Sequence, residues 1–435
     1  MKQEKQTGDP VHPAQPDQIN FFNPDVQDCP YHAYALLREE APVWHDPVGG
    51  FYVVTRYDLM RQVLLDTEHF SSQGAIQNSN PDHERTQRIR KLYEEKGWLP
   101  GLTLANRDDP RHKQLRSLFD KAFHAGRIKE MDPFVREVSY RLIDGFVGDG
   151  HCDWVRQFAV PMPLMVIIRQ AGARQEDMWR IKGWTDAWVK RLGFMQTEEE
   201  ERWSTEMEIE QQHYFQPIFE RLRKRPDGSL LSDLVNTVIP EWGRPMTDNE
   251  LHAEMSADIF VGGSETTTNA LSEGVKLLIE NPQVWQKLKS DPEKYLRTFV
   301  EEVLRLESPV QALFRFARTD VELAGVKIPQ GSMVTTRYGA ANRDDRHFAC
   351  PEKLDLERAN SATHLAFGSG VHHCLGAPLA RRELHWGFKA MLDRIDEMWF
   401  APGENDFRHA PNFCLRSLNA LHIEFQPKPQ ASVPH

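Results

Sequence analysis

Five cysteines in 435 residues, at positions 29, 152, 350, 374 and 414, form no C-x-x-C pair and no even-numbered framework. That excludes a disulfide scaffold and fits free thiols in a reducing cytoplasm. Also missing is any apolar run near the roughly 18 residues that a spanning helix requires; the longest, "MPLMVIIRQAG", is broken by Arg169. Positive charge is outnumbered too, with 53 Lys and Arg against 64 Asp and Glu. A net charge of −11 argues against a general nucleic-acid binder, whose phosphate contacts need clustered Lys and Arg. Residues 1–20 carry no apolar core behind a basic start, so they read as a polar, disordered leader and not a signal peptide. No Ser- or Gly-rich linker and no internal repeat divides the rest. Residues 21–427 therefore read as a single domain and 428–435 as a flexible tail, in a cytoplasmic, monomeric protein.

What is present is helical periodicity. "YHAYALLREEA", "HKQLRSLFDKAF", "DMWRIKGWTDAWVKRL" and "VWQKLKSDPEKYLRTFVEEVLRL" all place apolar residues three and four apart. Strand-like pieces cluster in "GGFYVVTR", "VELAGVKIPQGSMVTTR" and "CLRSLNALHIEF". The pattern predicts a mainly α body with a small β-rich lobe, an α+β fold. Residues 72–109 and "GFMQTEEEERWS" read as long irregular stretches, and long loops in compact proteins tend to be functional lids.

Three segments could carry chemistry. "HAEMSADIFVGGSETTTNALSEGVKLLIE" (252–280) reads as one long helix interrupted by Gly262, Gly263, Ser264, Glu265, Thr266, Thr267 and Thr268. Glycines cost about 1 kcal/mol each in a helix, and Ser or Thr can bend one. Either a local opening beside an acid and an alcohol or close packing through small residues explains them. Glu302 and Arg305 in "EVLR" stand three apart and can pair, a weak signal in isolation. The strongest segment is "HLAFGSGVHHCLGAPLARRE" (364–383). Its glycines permit tight turns, and a helix starting near Ala377 would aim free N–H groups at Cys374, lowering the thiol pKa. A thiolate there could be a nucleophile, a zinc ligand or a haem ligand, or the cysteine could be buried filler. Zinc lacks a second cysteine nearby, and no base for a nucleophile can be assigned.

Taken together the chain resembles a soluble bacterial cytochrome P-450, a triangular, single-domain helical body. "FGSGVHHCLGAPLAR" matches the family's haem signature, "EVLR" its Glu-x-x-Arg pair, "GGSETT" its oxygen-activation stretch and "DDPRHKQLR" a propionate-binding segment. By resemblance the cofactor is haem b with Cys374 as axial thiolate and metal ligand. Phe367, Gly368, Gly376, Gly262 and Gly263 would border the haem, and His112, Arg116, Arg315 and His372 would meet its propionates. Glu265 and Thr266 would relay protons, and Glu302, Arg305 and Arg358 would form a buried, fold-fixing set. His373 receives no role. Asp109, Asp345 and Leu354 depart from residues usual in the family.

The resemblance implies a monooxygenase that uses O2 and inserts oxygen into a hydrophobic small molecule such as a terpenoid, steroid or aromatic. Electrons would come from a separate ferredoxin and its NAD(P)H-dependent reductase, with Arg381, Arg382 and Lys113 as a docking patch. Trp98, Leu99, Leu102, Trp188, Phe194, Met195, Val261, Leu313 and Phe413 are the pocket candidates. A peroxide-driven haem enzyme of the same fold, which would not need the acid and alcohol pair, and a haem-thiolate sensor without turnover are the other readings.

Overall fold

The computed structural model describes residues 12–73 and 84–429. Most of the polar leader, residues 74–83 of the first irregular stretch and the tail from 430 lie outside the described residues. The remainder of the leader is packed: Pro16–Gln18 make a short turn, and Ile19 and Phe21 are buried beside Tyr34 and Trp44. The packed chain therefore begins earlier than the expected boundary at 21.

Ten helices position the site: α1 (Glu84–Lys96), α2 (Arg111–Ala122), α3 (Ala125–Asp144), α4 (Pro161–Gln170), α5 (Met178–Leu192), α6 (Glu198–Lys224), α7 (Asp248–Ala253), α8 (Gly262–Glu280), α9 (Pro292–Glu307) and α10 (Ala377–Arg394). Helix α9 shows why they form. Asp291 accepts from the Lys294 N–H at 3.1 Å, Pro292 opens the first turn, and Tyr295, Leu296, Phe299, Val300, Val303 and Leu304 make one buried face. Phe299 meets Phe388 of α10 with ring centroids 4.9 Å apart; truncation of such a residue to alanine costs about 3–5 kcal/mol.

Strands β1 (Val43–His45), β2 (Tyr52–Val54), β3 (Phe70–Ser71), β5 (Ala312–Ala317) and β8 (Met333–Arg337) make one sheet in the order β1-β2-β8-β5-β3, with β4 (His151–Asp153), β10 (His422–Pro427) and β9 (Ile395–Phe400) in a second and a β6–β7 hairpin (Val321–Leu323, Val326–Ile328) apart. Arg315 lies opposite Val334 in the β5–β8 register, which sets it on the side of the cavity described below. No helix among the described residues is long and apolar enough to cross a membrane.

The irregular reading of 72–109 is corrected by α1. Its apolar periodicity is absent because only Tyr93 is buried; polar ties hold it instead. Tyr93 donates to Glu208 of α6 at 2.6 Å, Arg191 of α5 donates to the same carboxylate at 2.5 Å, and Arg88 pairs with Glu198 at 2.7 Å. "GFMQTEEEERWS" is likewise mostly helix, because Thr197 and Glu200 form a capping box that starts α6. After α1, Gln212 of α6 donates its Nε2 to the Trp98 carbonyl and accepts from the Trp98 N–H, both at 2.8 Å. A Cβ at Gly97 would strike Gln212.

The long central helix is not uniform. A π-helical segment, Glu254–Val261, joins α7 to α8, so the widened turns come before the glycines, not at them. The wide turns rotate Ala257, Asp258 and Gly262 onto the cavity wall while Val261 packs away from it.

Candidate active site

Cys374 ends a loop shaped by two left-handed glycines, Gly368 (φ 71°) and Gly370 (φ 73°). Its N–H donates to the Phe367 carbonyl at 2.8 Å, and α10 follows three residues later. A Cβ on Gly370 would lie 2.9 Å from the Leu64 carbonyl, so both conformation and space demand glycine there. Cys374 opens onto a cavity of about 340 Å³ that is bounded on another side by Gly262 and Thr266 of α8. The surrounding protein desolvates the thiol and raises its pKa, while the Gly376 and Ala377 N–H groups and the charges of Arg116 and Arg381 pull it down. The N–H groups at the start of α10 lower the thiol pKa as expected, and burial works against them.

His112, Arg116, Arg315 and His372 all line this cavity. Burial lowers the His112 pKa, and burial together with Arg315, His112 and Arg116 pushes His372 down to about 3. Both His112 ring nitrogens are buried without a hydrogen bond, its Nδ1 lying a long 3.4 Å from Asp109. Arg315 donates only to its neighbouring Phe314 carbonyl at 2.8 Å. A wall of crowded, under-satisfied donors calls for an anionic ligand, as two haem carboxylates would supply. Phe367, Gly368 and Gly376 border the same space. A Cβ at Gly262 would meet only the Ala257 carbonyl, at 3.8 Å, whereas one at Gly263 would press on Ile167 of α4 at 3.1 Å. The pair thus divides its labour, Gly262 giving room and Gly263 close helix packing. These residues fit a flat, dianionic macrocycle with a sulfur ligand.

Thr266 faces the cavity, with its hydroxyl donating to the Gly262 carbonyl at 3.0 Å. Glu265 does not. It is buried against α5, where Lys182 Nζ (3.1 Å) and Thr185 Oγ1 (2.8 Å) bond its carboxylate. Successive helical residues point in different directions, so the expected acid and alcohol pair is split between two surfaces. Lys182 and Thr185 escaped sequence reading because their significance lies 80 or more residues from their partner.

Below the cysteine loop the Glu302 set is assembled. Arg305 donates to both Glu302 oxygens (2.6 and 3.0 Å), Arg358 Nε lies 3.0 Å from Glu302 Oε1, and Glu302 and Arg305 are 0% exposed. None of the three lines the cavity. The adjacent Glu301 was missed although the doubled acid in "VEEVLR" marked it. It accepts from His364 at 3.0 Å and Arg381 at 2.7 Å, and Arg381 lies over the Phe367 ring at 4.5 Å. Burial would raise the Glu301 pKa, but the bonds from His364 and Arg381 hold it at about 2. A folded pKa below the unfolded value stabilises above the unfolded pKa and is lost as pH falls. Thermal melts between about pH 5 and pH 2 should show the wild type losing stability more steeply than Glu301→Gln. Parallel curves would show that Glu301 is not held ionised.

Of the substrate candidates, Leu313 alone lines the cavity; Trp98, Leu102, Trp188, Val261 and Phe413 do not. Trp98 packs on His213 and His252 with centroids 5.4 and 4.7 Å away. Phe413 stacks on Phe314 in a core cluster at 5.5 Å. Apolar residues in loops are as often needed for packing as for a ligand, and here packing claimed them. Leu104, Ala105, Asp258 and Val310 line it instead. Two of the three basic residues offered for docking are paired, Arg381 with Glu301 (2.7 Å) and Arg382 with Asp132 (2.5 Å). His373 gains a part, since its carbonyl accepts from Arg116 at 2.9 Å.

The helical fold and a cysteine loop facing a hydroxyl-bearing helix define a haem-thiolate oxidoreductase. The Cytochrome P-450 family profile matches residues 194–397. Putative cytochrome P-450 YjiB of Bacillus subtilis (strain 168) is 32% identical over 383 residues, 87% of this chain and 91% of that protein. Cytochrome P-450 monooxygenase PikC of Streptomyces venezuelae is 32% identical over 414 residues, 94% of each. Among solved structures, CYP109E1 from Bacillus megaterium in complex with testosterone superposes with a TM-score of 0.77 at 31% identity, covering 91% of this chain and 99% of that one. The chain belongs to the cytochrome P-450 family: it is a monooxygenase-type oxidoreductase, and its cofactor is haem with a cysteine thiolate axial ligand.

Proposed function

We propose that this chain hydroxylates or oxidatively dealkylates a lipophilic small molecule, taking electrons from a separate ferredoxin and reductase. The observation that carries the reading is the placement of Cys374, Thr266 and a wall of two arginines and two histidines around one cavity. Cys374 would supply the sulfur ligand, and the Arg116 and Arg315 guanidiniums, with His112 and His372 as hydrogen-bonding partners, would hold two carboxylates that are costly to bury unpaired. When bound, the thiolate-ligated haem supplies oxygen activation and O–O cleavage. Gly262 leaves space for a small ligand beside Thr266, whose hydroxyl holds and passes a proton there, while Glu265 stays bound to Lys182 and Thr185 of α5, off the cavity wall. Leu104, Val310 and Leu313 give an apolar wall that excludes water. The steroid-bound structural relative supports a substrate of that size and polarity.

Oxygen uptake driven by NAD(P)H through a surrogate ferredoxin and reductase, run on molecules that displace iron-bound water in a spectral screen, tests the proposal. Oxygenated product is expected, and binding with no product from any ligand overturns it. Thr266→Ala should retain the cofactor while product per NAD(P)H falls about tenfold or more and peroxide rises. Full coupling in that variant would remove Thr266 from the relay.

A further inference from the structure

Glu301 and Glu302 are neighbours on α9 that serve different partners. Glu302 faces Arg305 and Arg358, whereas Glu301, 5% exposed, turns to the cysteine loop and α10. Arg381 clamps it with two bonds, Nε to Oε1 at 2.7 Å and Nη2 to Oε2 at 3.0 Å, and His364 Nε2 donates to Oε2 at 3.0 Å. His364 Nδ1 accepts from the Ala366 N–H at 3.2 Å. A ring nitrogen that accepts carries no proton, so the imidazole is neutral and Arg381 supplies the positive charge of the set.

Phe367 connects this set to the sulfur. The Arg381 guanidinium lies 4.5 Å from the Phe367 ring centre, and the His364 ring centre lies 5.8 Å from it. The Phe367 carbonyl in turn accepts the Cys374 N–H at 2.8 Å, and both residues border the cavity. Arg381 stands about one helical turn past Ala377, where α10 begins, and its charge reaches the thiol. A cation so placed favours whichever state of a thiolate-ligated iron carries more negative charge, and reduction from ferric to ferrous adds one electron. Left alone, Arg381 would draw the couple upward and weaken the sulfur as a donor. Glu301 offsets that charge from a buried seat. Arg116, the other arginine acting on the sulfur, has as counter-charge Asp120, which is 57% exposed and answered mostly by water.

We infer that Glu301, oriented by His364, is a positioning residue that holds Arg381 against Phe367 with its charge offset, and thereby sets the reduction potential of the haem ligated by Cys374.

Redox titration of the holoenzyme with small mediators tests this, and because no protein donor takes part, any docking role of Arg381 stays out of the measurement. At about pH 8 an unpaired carboxyl stays ionised. At a fixed applied potential there, Glu301→Gln should raise the ferrous-to-ferric ratio about threefold or more, tenfold corresponding to about 59 mV for one electron. Arg381→Gln, which bares the carboxylate, should lower the ratio by a similar factor, and Glu301→Asp, which keeps the charge, should stay near the wild type. In Glu301→Gln/Arg381→Gln the two shifts should cancel. Equal ratios in the wild type and Glu301→Gln, both with the reduced carbon monoxide band intact, overturn the inference. So does a double variant that keeps the full Glu301→Gln shift, because the shift then comes from a loosened loop and not from an unmasked charge. Should Glu301→Gln fail to hold haem, Arg381→Gln decides alone: that side chain is 34% exposed, so its loss spares the fold, and a ratio at or above the wild-type value overturns the proposal.

Discussion

Cys374→Ala abolishes the reduced carbon monoxide band that names the family, together with all NAD(P)H-driven product formation. Cys374 carries the only sulfur on the cavity wall among the described residues, and the imidazoles of His112, His372 and His373 on the same wall cannot give the thiolate-specific band. Cys152 and Cys414 are buried in cores, where desolvation pushes the Cys414 thiol up to about 12. Cys29 and Cys350 lie away from the cavity. The alanine leaves a small apolar gap at a site already open to the cavity, so the fold should persist and the loss can be read as one of ligation. Cys374→Ser should behave alike, since a hydroxyl stays protonated where a thiolate is required. Persistence of the band in either variant would move the ligand elsewhere.

Glu302→Gln is the second large effect. It strands two guanidiniums, Arg305 and Arg358, in a setting where Glu302 and Arg305 are fully buried. Breaking a buried ion set by removing one partner costs about 3–5 kcal/mol. The Asp355 N–H, bonded to Glu302 at 3.0 Å, loses a charged acceptor as well. The urea midpoint should fall without a change in slope, and haem should be released early in the transition because α9 underlies the cysteine loop. Arg305→Met should cost less, since Arg358 still neutralises Glu302. A Glu302→Gln/Arg305→Met double variant that costs as much as the two single effects combined would show that the groups do not act as a unit.

The chemistry was more legible than the space around it. Cys374, Thr266, His112 and Arg315 could be read because each lies in a short segment whose residue types are constrained together. Glu265 misled because adjacency in sequence is not adjacency in space on a helix. Trp98 and Phe413 misled because an aromatic ring serves a core as well as a pocket. Helix α1 was hidden since polar anchors, Tyr93 and Arg88, replace an apolar stripe. The π segment left no composition signal at all, and with it Asp258, not Val261, lines the cavity.

The Gln212 amide behaves as a transplanted peptide group. By giving and accepting one bond with Trp98, it offers the chain after α1 the pairing that a neighbouring strand would give. The shape of that segment is thus dictated by a residue 114 positions later. Any displacement of α6 would therefore draw Trp98 with it, because the two bonds tie the segment to the helix and not to its own neighbours in sequence.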